Sequence, residues 1–412
     1  MTYQADSIVI TGIGAVSAFG LGADAVWAAL ENGETPRALL EGEATSSPQT
    51  PYGVKVGNWN PVELLGKRGL QFLRPSTQFL LGASQLALAE AGLNEQMPDP
   101  DDLGVVIGTN LAGLQSITNY DFTAVTEGPQ YVSPMEAPNT LANAPASHLA
   151  IRVQARALNT TIASGQCAGF DALGYASKML REGRARYVLV GGVEELNERV
   201  LWMYQNSNVL PHERPEDAGR PFDGKSTGWV PGEGAAVLVL ERYEDAVNRG
   251  AKPLAELVSW AASFSAPSSV EKRAKGLARA AKNALQIAKL SAEEIDLVVS
   301  GANGHHEQDR AEAMAITELF GEQRPNVDVC AIKGTLGESY GASGLFQAVA
   351  AVGALQRGTV PATAGYESED SEAPHLPGLR AESRSFAGNH VLLTGQDLFG
   401  SASAVVLRGA GA

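Results

Sequence analysis

Asp102-Leu-Gly-Val-Val-Ile-Gly-Thr-Asn110 and Asp296-Leu-Val-Val-Ser-Gly-Ala-Asn303 are two short apolar runs, each opened by an acid, about half a chain apart. Runs of this length, rich in Val, Ile and Leu, read as strands buried on both faces. A helical pattern precedes each one. In Ser76–Leu93, Phe79, Leu80, Ala83, Leu86 and Ala87 recur at helical spacing, and in Gly276–Ala292 so do Leu277, Ala280, Ala281, Ala284, Leu285 and Ala288. A second pair repeats the theme: Gly169–Gly183 and Gly344–Gly358 are helical patterns ending in Leu180-Arg-Glu-Gly183 and Leu355-Gln-Arg-Gly358, with glycine where a C-terminal cap belongs. Helices alternating with buried strands predict an α/β fold with largely parallel sheets, built from two similar halves. The boundary falls near Gly250–Pro253, after the strand Ala235–Leu240 and the helical Tyr243–Asn248, giving halves 1–252 and 253–412. One doubly wound sheet with insertions fits the same pattern.

The chain has 412 residues, 44% of them hydrophobic, enough for one large core or two fused medium ones. The start, Met1-Thr-Tyr-Gln-Ala-Asp-Ser-Ile-Val-Ile10, puts an acid before the first apolar run, and no apolar stretch is long enough to span a bilayer. The expectation is a soluble, cytoplasmic protein without a membrane partner. Cys167 and Cys330 make no disulfide framework, and no CxxC or paired-histidine spacing offers a metal site. The adjacent His305 and His306 are poor joint ligands and read as a solvated turn, so no metal or cofactor is expected. The net charge of −15 argues against nucleic acid and anionic membranes.

Four ordered motifs resemble the β-ketoacyl synthases over nearly the whole chain. Ile8-Val-Ile-Thr-Gly-Ile-Gly-Ala-Val-Ser17 is similar to their opening strand and turn. Arg220-Pro-Phe-Asp223 followed by Gly228-Trp-Val-Pro-Gly-Glu-Gly-Ala235, then Lys333-Gly-Thr-Leu-Gly337, then Phe399-Gly400, resemble their later signatures. The resemblance implies a thiolase fold, two βαβαβαββ halves stacked in a five-layer αβαβα sandwich, working as a dimer.

Those enzymes carry their substrate chain on a cysteine at a sharp strand-to-helix turn, where the helix N-terminus lowers the thiol pKa and backbone N–H groups face the developing oxyanion. Aligned on Gly169 and Ala172-Leu-Gly174, this chain puts Gln166 at the nucleophile position, with Cys167 one residue later. An amide nitrogen delocalised into its carbonyl is no nucleophile. The positions of the family's two catalytic histidines hold Gly301 and Glu338, while the family lysine is kept as Lys333. Neither replacement can shuttle a proton or stabilise an oxyanion as imidazole does. Asp397 where an aromatic is usual, and Ser403 where an asparagine is usual, suggest a relaxed active site.

Glutamine at this turn, in Gln166-x-x-Gly-x-Asp171-Ala-Leu-Gly174, is similar to the chain length factors of type II polyketide synthases. That resemblance implies a heterodimer with a catalytic ketosynthase, the pair enclosing the tunnel into which the product grows. The tunnel residues it implies are Leu114, Ile117 and Asp121, which form one helical stripe after the strand Gly104–Gly108. The implied dimer surface includes Pro134, Met135, Thr160, Thr161 and Ile162. Acyl carrier proteins are acidic as a class, so a chain this acidic leaves the main carrier docking to its partner. Two other readings stand beside this one: a malonyl-carrier decarboxylase using the Gln166 amide, and an autonomous acyltransferase using Cys167. The acidic run Glu367, Glu369, Asp370 and Glu372 reads as a solvated loop.

Overall fold

The computed structural model describes residues 3–40, 52–57, 59–211, 214–266, 268–321 and 327–410. Its principal strands are β1 (Ile8–Ser17), β2 (Leu103–Gly108), β3 (Leu158–Ile162), β4 (Tyr187–Glu194), β5 (Gly234–Arg242), β6 (Ala255–Phe264), β7 (Leu297–Ser300), β8 (Asp328–Ala331), β9 (His390–Gln396) and β10 (Ser401–Gly409). The helices that matter for the site are α1 (Pro75–Glu90), α2 (Leu114–Thr126), α3 (Ala144–Val153), α4 (Ala168–Arg181), α5 (Glu198–Asn206), α6 (Val270–Ala288), α7 (His306–Phe320) and α8 (Ser343–Arg357).

The strands run β8-β7-β9-β10-β6-β1-β5-β4-β2-β3 across the sheet. Counted within its own half, each set of five has the order 3-2-4-5-1, and the sets meet at the antiparallel ladder of Ile8–Ile10 with Ala255–Leu257. The repeat seen in the sequence is thus a repeat of topology. The sheets are mixed, however, where largely parallel ones were expected. β2 pairs parallel with β3 and β4, and β7 with β8 and β9, but β5 and β10 run antiparallel to both neighbours. Only four residues separate β9 from β10, a connection too short for a parallel crossover.

Alternation along the strands divides the core into layers. Val188, Val190, Leu238 and Leu240 face α4 and α8, whose Phe170, Leu173, Leu345, Phe346 and Val349 also meet Leu297, Val299, Leu393 and Val405 of the other half. The alternate residues Leu189, Val237 and Val239 face α1 and α3. Val298, Leu392 and Val406 face α6 and α7. The five-layer order α, β, α, β, α follows. α6 begins six residues earlier than its apolar pattern, because its first turn, Val270-Glu-Lys-Arg273, is mostly polar and is capped by the Ser269 side chain accepting from the Lys272 N–H. Among the described residues no helix is long and apolar enough to cross a membrane.

Candidate functional site

Strand β3 ends at the elbow Ser164-Gly-Gln-Cys167, and α4 leaves it at once. Gly165 has a φ of 65°, a left-handed turn suited to glycine, and a Cβ there would collide with the Asp397 carboxylate. Asn110 clamps this glycine from the end of β2: its Nδ2 donates to the Gly165 carbonyl at 2.9 Å and its Oδ1 accepts from the Gly165 N–H at 2.8 Å. Glu194, at the end of β4, fixes Asn110 in turn by accepting its backbone N–H at 2.7 Å and that of Leu111 at 3.1 Å.

Gln166 is 2% exposed and engaged at both ends. Its Nε2 donates to Glu338 Oε2 at 2.6 Å, and its Oε1 accepts from Gln308 Nε2 at 2.8 Å. Glu338 is the hub. Its Oε2 also accepts from Lys333 Nζ at 2.8 Å and Asn303 Nδ2 at 2.8 Å, while its Oε1 accepts from the Tyr340 N–H at 2.9 Å and Ser343 Oγ at 2.6 Å. Burial alone would raise the Glu338 pKa, but the Lys333 charge and these hydrogen bonds outweigh it and hold the carboxyl below its ordinary range. Glu338 is therefore an anion with both oxygens committed. Gln308 closes the ring by accepting from Trp229 Nε1 and Asn303 Nδ2, both at 3.2 Å.

The structure thus brings Gln166, Lys333 and Glu338 together. Gly301 adds no side chain: a Cβ there would stand 2.9 Å from the Thr394 carbonyl and 3.0 Å from Glu312 Oε1. Asn303, two residues later, reaches the network instead. Sequence reasoning missed Asn303, Gln308, Trp229 and Ser343. One signal was available: α7 buries Gln308, Asp309, Ala311, Glu312, Ala315 and Ile316 at helical spacing, so polar residues occupy a face where apolar ones belong.

The elbow is not relaxed, contrary to the expectation drawn from Asp397 and Ser403. Asp397 Oδ2 accepts the Gln166 backbone N–H at 3.3 Å, and Ser403 Oγ donates to Asp171 Oδ1 at 2.6 Å. An N–H of the kind that steadies an oxyanion is thereby held by a carboxylate. Burial pushes the Asp397 pKa up. Cys167 is wholly buried with its sulfur 3.6 Å from the Gly395 carbonyl, and burial, followed by Asp171 and Asp397, drives its thiol well above the ordinary value. A thiol so placed is no nucleophile.

Leu114 and Ile117 are half-buried on α2, Leu114 against the cluster of Leu111, Leu201 and Tyr204, whereas Asp121 is exposed in the single chain. Pro134 and Met135 are exposed, and Thr160, Thr161 and Ile162 lie on β3, the edge of the sheet. His305 is half-buried rather than solvated, whereas the acidic loop is solvated at Glu367, Glu369 and Glu372, with Asp370 half-buried; Glu367 pairs with Arg220, Asp370 and Glu372 with Arg310, Glu369 with His375.

Comparison with known proteins follows the same line. The family description "Beta-ketoacyl synthase, N-terminal domain" matches residues 5–246 and "Beta-ketoacyl synthase, C-terminal domain" matches residues 254–367. The chain is 32% identical to "Putative polyketide beta-ketoacyl synthase 1" of Streptomyces halstedii, over 98% of each chain. It is also 32% identical to "Actinorhodin polyketide putative beta-ketoacyl synthase 2" of Streptomyces coelicolor, again over 98% of each. Among solved structures, the ishigamide ketosynthase/chain length factor shares the fold with a TM-score of 0.89 at 24% identity, covering 99% of this chain and all of that one.

Proposed function

The chain belongs to the beta-ketoacyl synthase family, and from that premise we propose that it is a non-condensing member of it. In this reading it is a cytoplasmic chain length factor of two thiolase-like halves, 1–252 and 253–412. It pairs with a catalytic ketosynthase and shapes the tunnel that sets polyketide length. The observation that carries the reading is the closed network at the elbow. Condensation needs a thiolate, imidazoles to move protons and a free N–H for the oxyanion. Here the thiolate position is an amide, the carboxylate of Glu338 faces it, and the Gln166 N–H is held by Asp397.

Pairing is supported by the surface. Among the described residues β3 has one neighbour in the sheet, and an edge strand of this kind is open to pairing with another chain. In the segment that precedes α3, Phe122, Val125, Tyr131, Met135 and Leu141 are all exposed, with Val125 84% so, and large exposed apolar side chains of this kind suit a surface that a partner covers. The tunnel role rests on Leu114 and Ile117, which line one side of α2. Engagement of both ends of the Gln166 amide argues against the decarboxylase reading, and burial of Cys167 argues against the acyltransferase one.

The test is native mass spectrometry of the chain co-expressed with its ketosynthase, together with a Gln166→Cys variant. The expected outcome is a one-to-one complex that condenses only through the partner's cysteine. Gln166→Cys alone is expected to show no acyl adduct at position 166, because its thiol would sit against the Glu338 anion, which raises a thiol pKa. Condensation by the isolated variant, or a self-sufficient homodimer of the native chain, would overturn the reading.

A further inference from the structure

Helix α2, which carries Leu114 and Ile117, buries little of itself. Of its 13 residues Ser116 is the one fully buried, and Gly113 before it has a φ of 91° and no side chain with which to cap it. The position of the helix depends instead on the segment that feeds it. That segment leaves the end of β2 as Thr109-Asn110-Leu111, and all three residues donate to one carboxylate. Glu194 Oε1 accepts the Asn110 N–H at 2.7 Å, while Oε2 accepts the Leu111 N–H at 3.1 Å and the Thr109 hydroxyl at 3.2 Å. The Leu111 carbonyl then accepts the Leu114 N–H at 3.0 Å, and the Gly113 carbonyl accepts that of Ile117 at 2.8 Å. Hydrogen bonds thus run from Glu194 through the turn into the first residues of the helix.

Glu194 itself is firmly placed. It is buried at the end of β4, a strand with β2 on one side and β5 on the other. Gly341, in the segment that follows Glu338, packs over it so closely that a Cβ there would stand 2.8 Å from both Asn110 Nδ2 and Glu194 Oε1. The Asn110 side chain also clamps Gly165, so one carboxylate fixes α2 relative to the sheet and to the elbow. We propose that Glu194 is the positioning residue that sets how far α2 stands into the tunnel, and so selects product length without touching the growing chain. This rests on the chain-length reading. A carboxylate is required because every group it meets here is a donor. Glutamine would present one oxygen and one NH2, and the NH2 would face either the Asn110 or the Leu111 N–H, donor against donor. The turn then loses a hydrogen bond, and a helix with little buried surface of its own shifts with it.

The experiment compares product lengths from the reconstituted native heterodimer and from one carrying Glu194→Gln, at a pH above the value of about 7 to which burial raises Glu194. The expected result is that the dominant product loses about twofold or more of its excess over products one two-carbon unit longer or shorter, with one-to-one assembly unchanged. Thr109→Val removes a single hydrogen bond to the same carboxylate and is expected to shift the distribution in the same direction by less. It keeps the inference testable if the glutamine variant does not fold. Glu241→Gln is the control: Glu241 is wholly buried at the opposite end of the β4–β5 ladder, where Arg249 and Thr11 donate to it. That variant loosens the same sheet and is expected to leave product length as it was. Unchanged lengths for Glu194→Gln and Thr109→Val, alongside a shorter product from Ile117→Phe, overturn the inference and leave the chain-length reading standing. An equal change from Glu241→Gln overturns it too, because general loosening would then be the cause. Unchanged lengths for Ile117→Phe as well would remove α2 from the tunnel, and the inference would fall together with that reading.

Discussion

Glu338 and Lys333 form a buried ion pair at the centre of the elbow, with the Lys333 side chain 4% exposed and that of Glu338 fully enclosed. Removing one partner of such a pair leaves an unpaired buried charge and costs about 3–5 kcal/mol. Lys333→Met is therefore expected to lower unfolding free energy by that amount at pH 7, read from urea unfolding. The folded-state pKa of Glu338 is depressed, so its contribution is present above the unfolded value near 4.3 and is lost as pH falls through the folded one. In the variant the carboxylate can take up a proton, so the deficit should narrow toward pH 4; a deficit constant with pH would show that Glu338 is not the group responsible. At this scale the sequence marked Gln166, Gly301 and Glu338 by their place in ordered motifs. It did not mark Asn303 or Gln308, whose partners lie 35 and 142 residues away and are set only by the fold.

α2 is held at its start by Glu194, through the turn Thr109-Asn110-Leu111 that also clamps the elbow. The helix proposed to close the tunnel and the turn proposed to replace the nucleophile thus share one buried carboxylate. Ile117 projects half-buried from the same face as Leu114, so added bulk there should enter the tunnel without disturbing the sheet. Ile117→Phe in the reconstituted heterodimer is expected to shorten the dominant product by at least one two-carbon unit, and Leu114→Trp to do the same. Asp121→Asn, on an exposed position, is expected to leave product length unchanged. Product masses settle the matter: equal lengths for all three would remove α2 from the tunnel. The strands and helices around this region were legible because their apolar spacing is set by the sheet they cover. The solvation of the acidic loop was legible too, but its pairing was not, since composition cannot show which exposed carboxylate meets Arg220 or Arg310.

The whole molecule repeats one 3-2-4-5-1 sheet, and repetition explains how a chain proposed to lack the chemistry keeps the fold. The core is made by α4 and α8 packed between the two sheets, and its apolar contacts do not involve position 166. The duplication was readable from spacing; the mixed strand directions were not, because periodicity reports which face a residue occupies and not which way its strand runs. What the core also encloses is a set of carboxyl groups whose pKa burial raises, Glu233 among them despite the charge of Lys55. Burial pushes Glu194 and Asp309 up to about 7, and burial likewise pushes Glu233 up to about 7. A carboxyl raised in the folded state binds its proton more tightly there than in the unfolded chain. Its stabilising contribution is complete below the unfolded value near 4 and is lost as pH rises through about 7. Each shift of this size corresponds to roughly 3 kcal/mol at its limit, a large share of a typical total of about 5–15 kcal/mol. Self-repulsion of a chain at −15 acts in the same direction as pH rises. Below the unfolded carboxylate value of about 4.3 the contribution of the Lys333–Glu338 pair begins to be lost instead, so stability should peak at roughly pH 4 to 5, fall as pH rises toward about 7 and level off above it. Denaturant midpoints measured across that range check this, and a midpoint that rises from pH 5.5 to 8 would mean that the three carboxyls are ionised in the folded protein throughout.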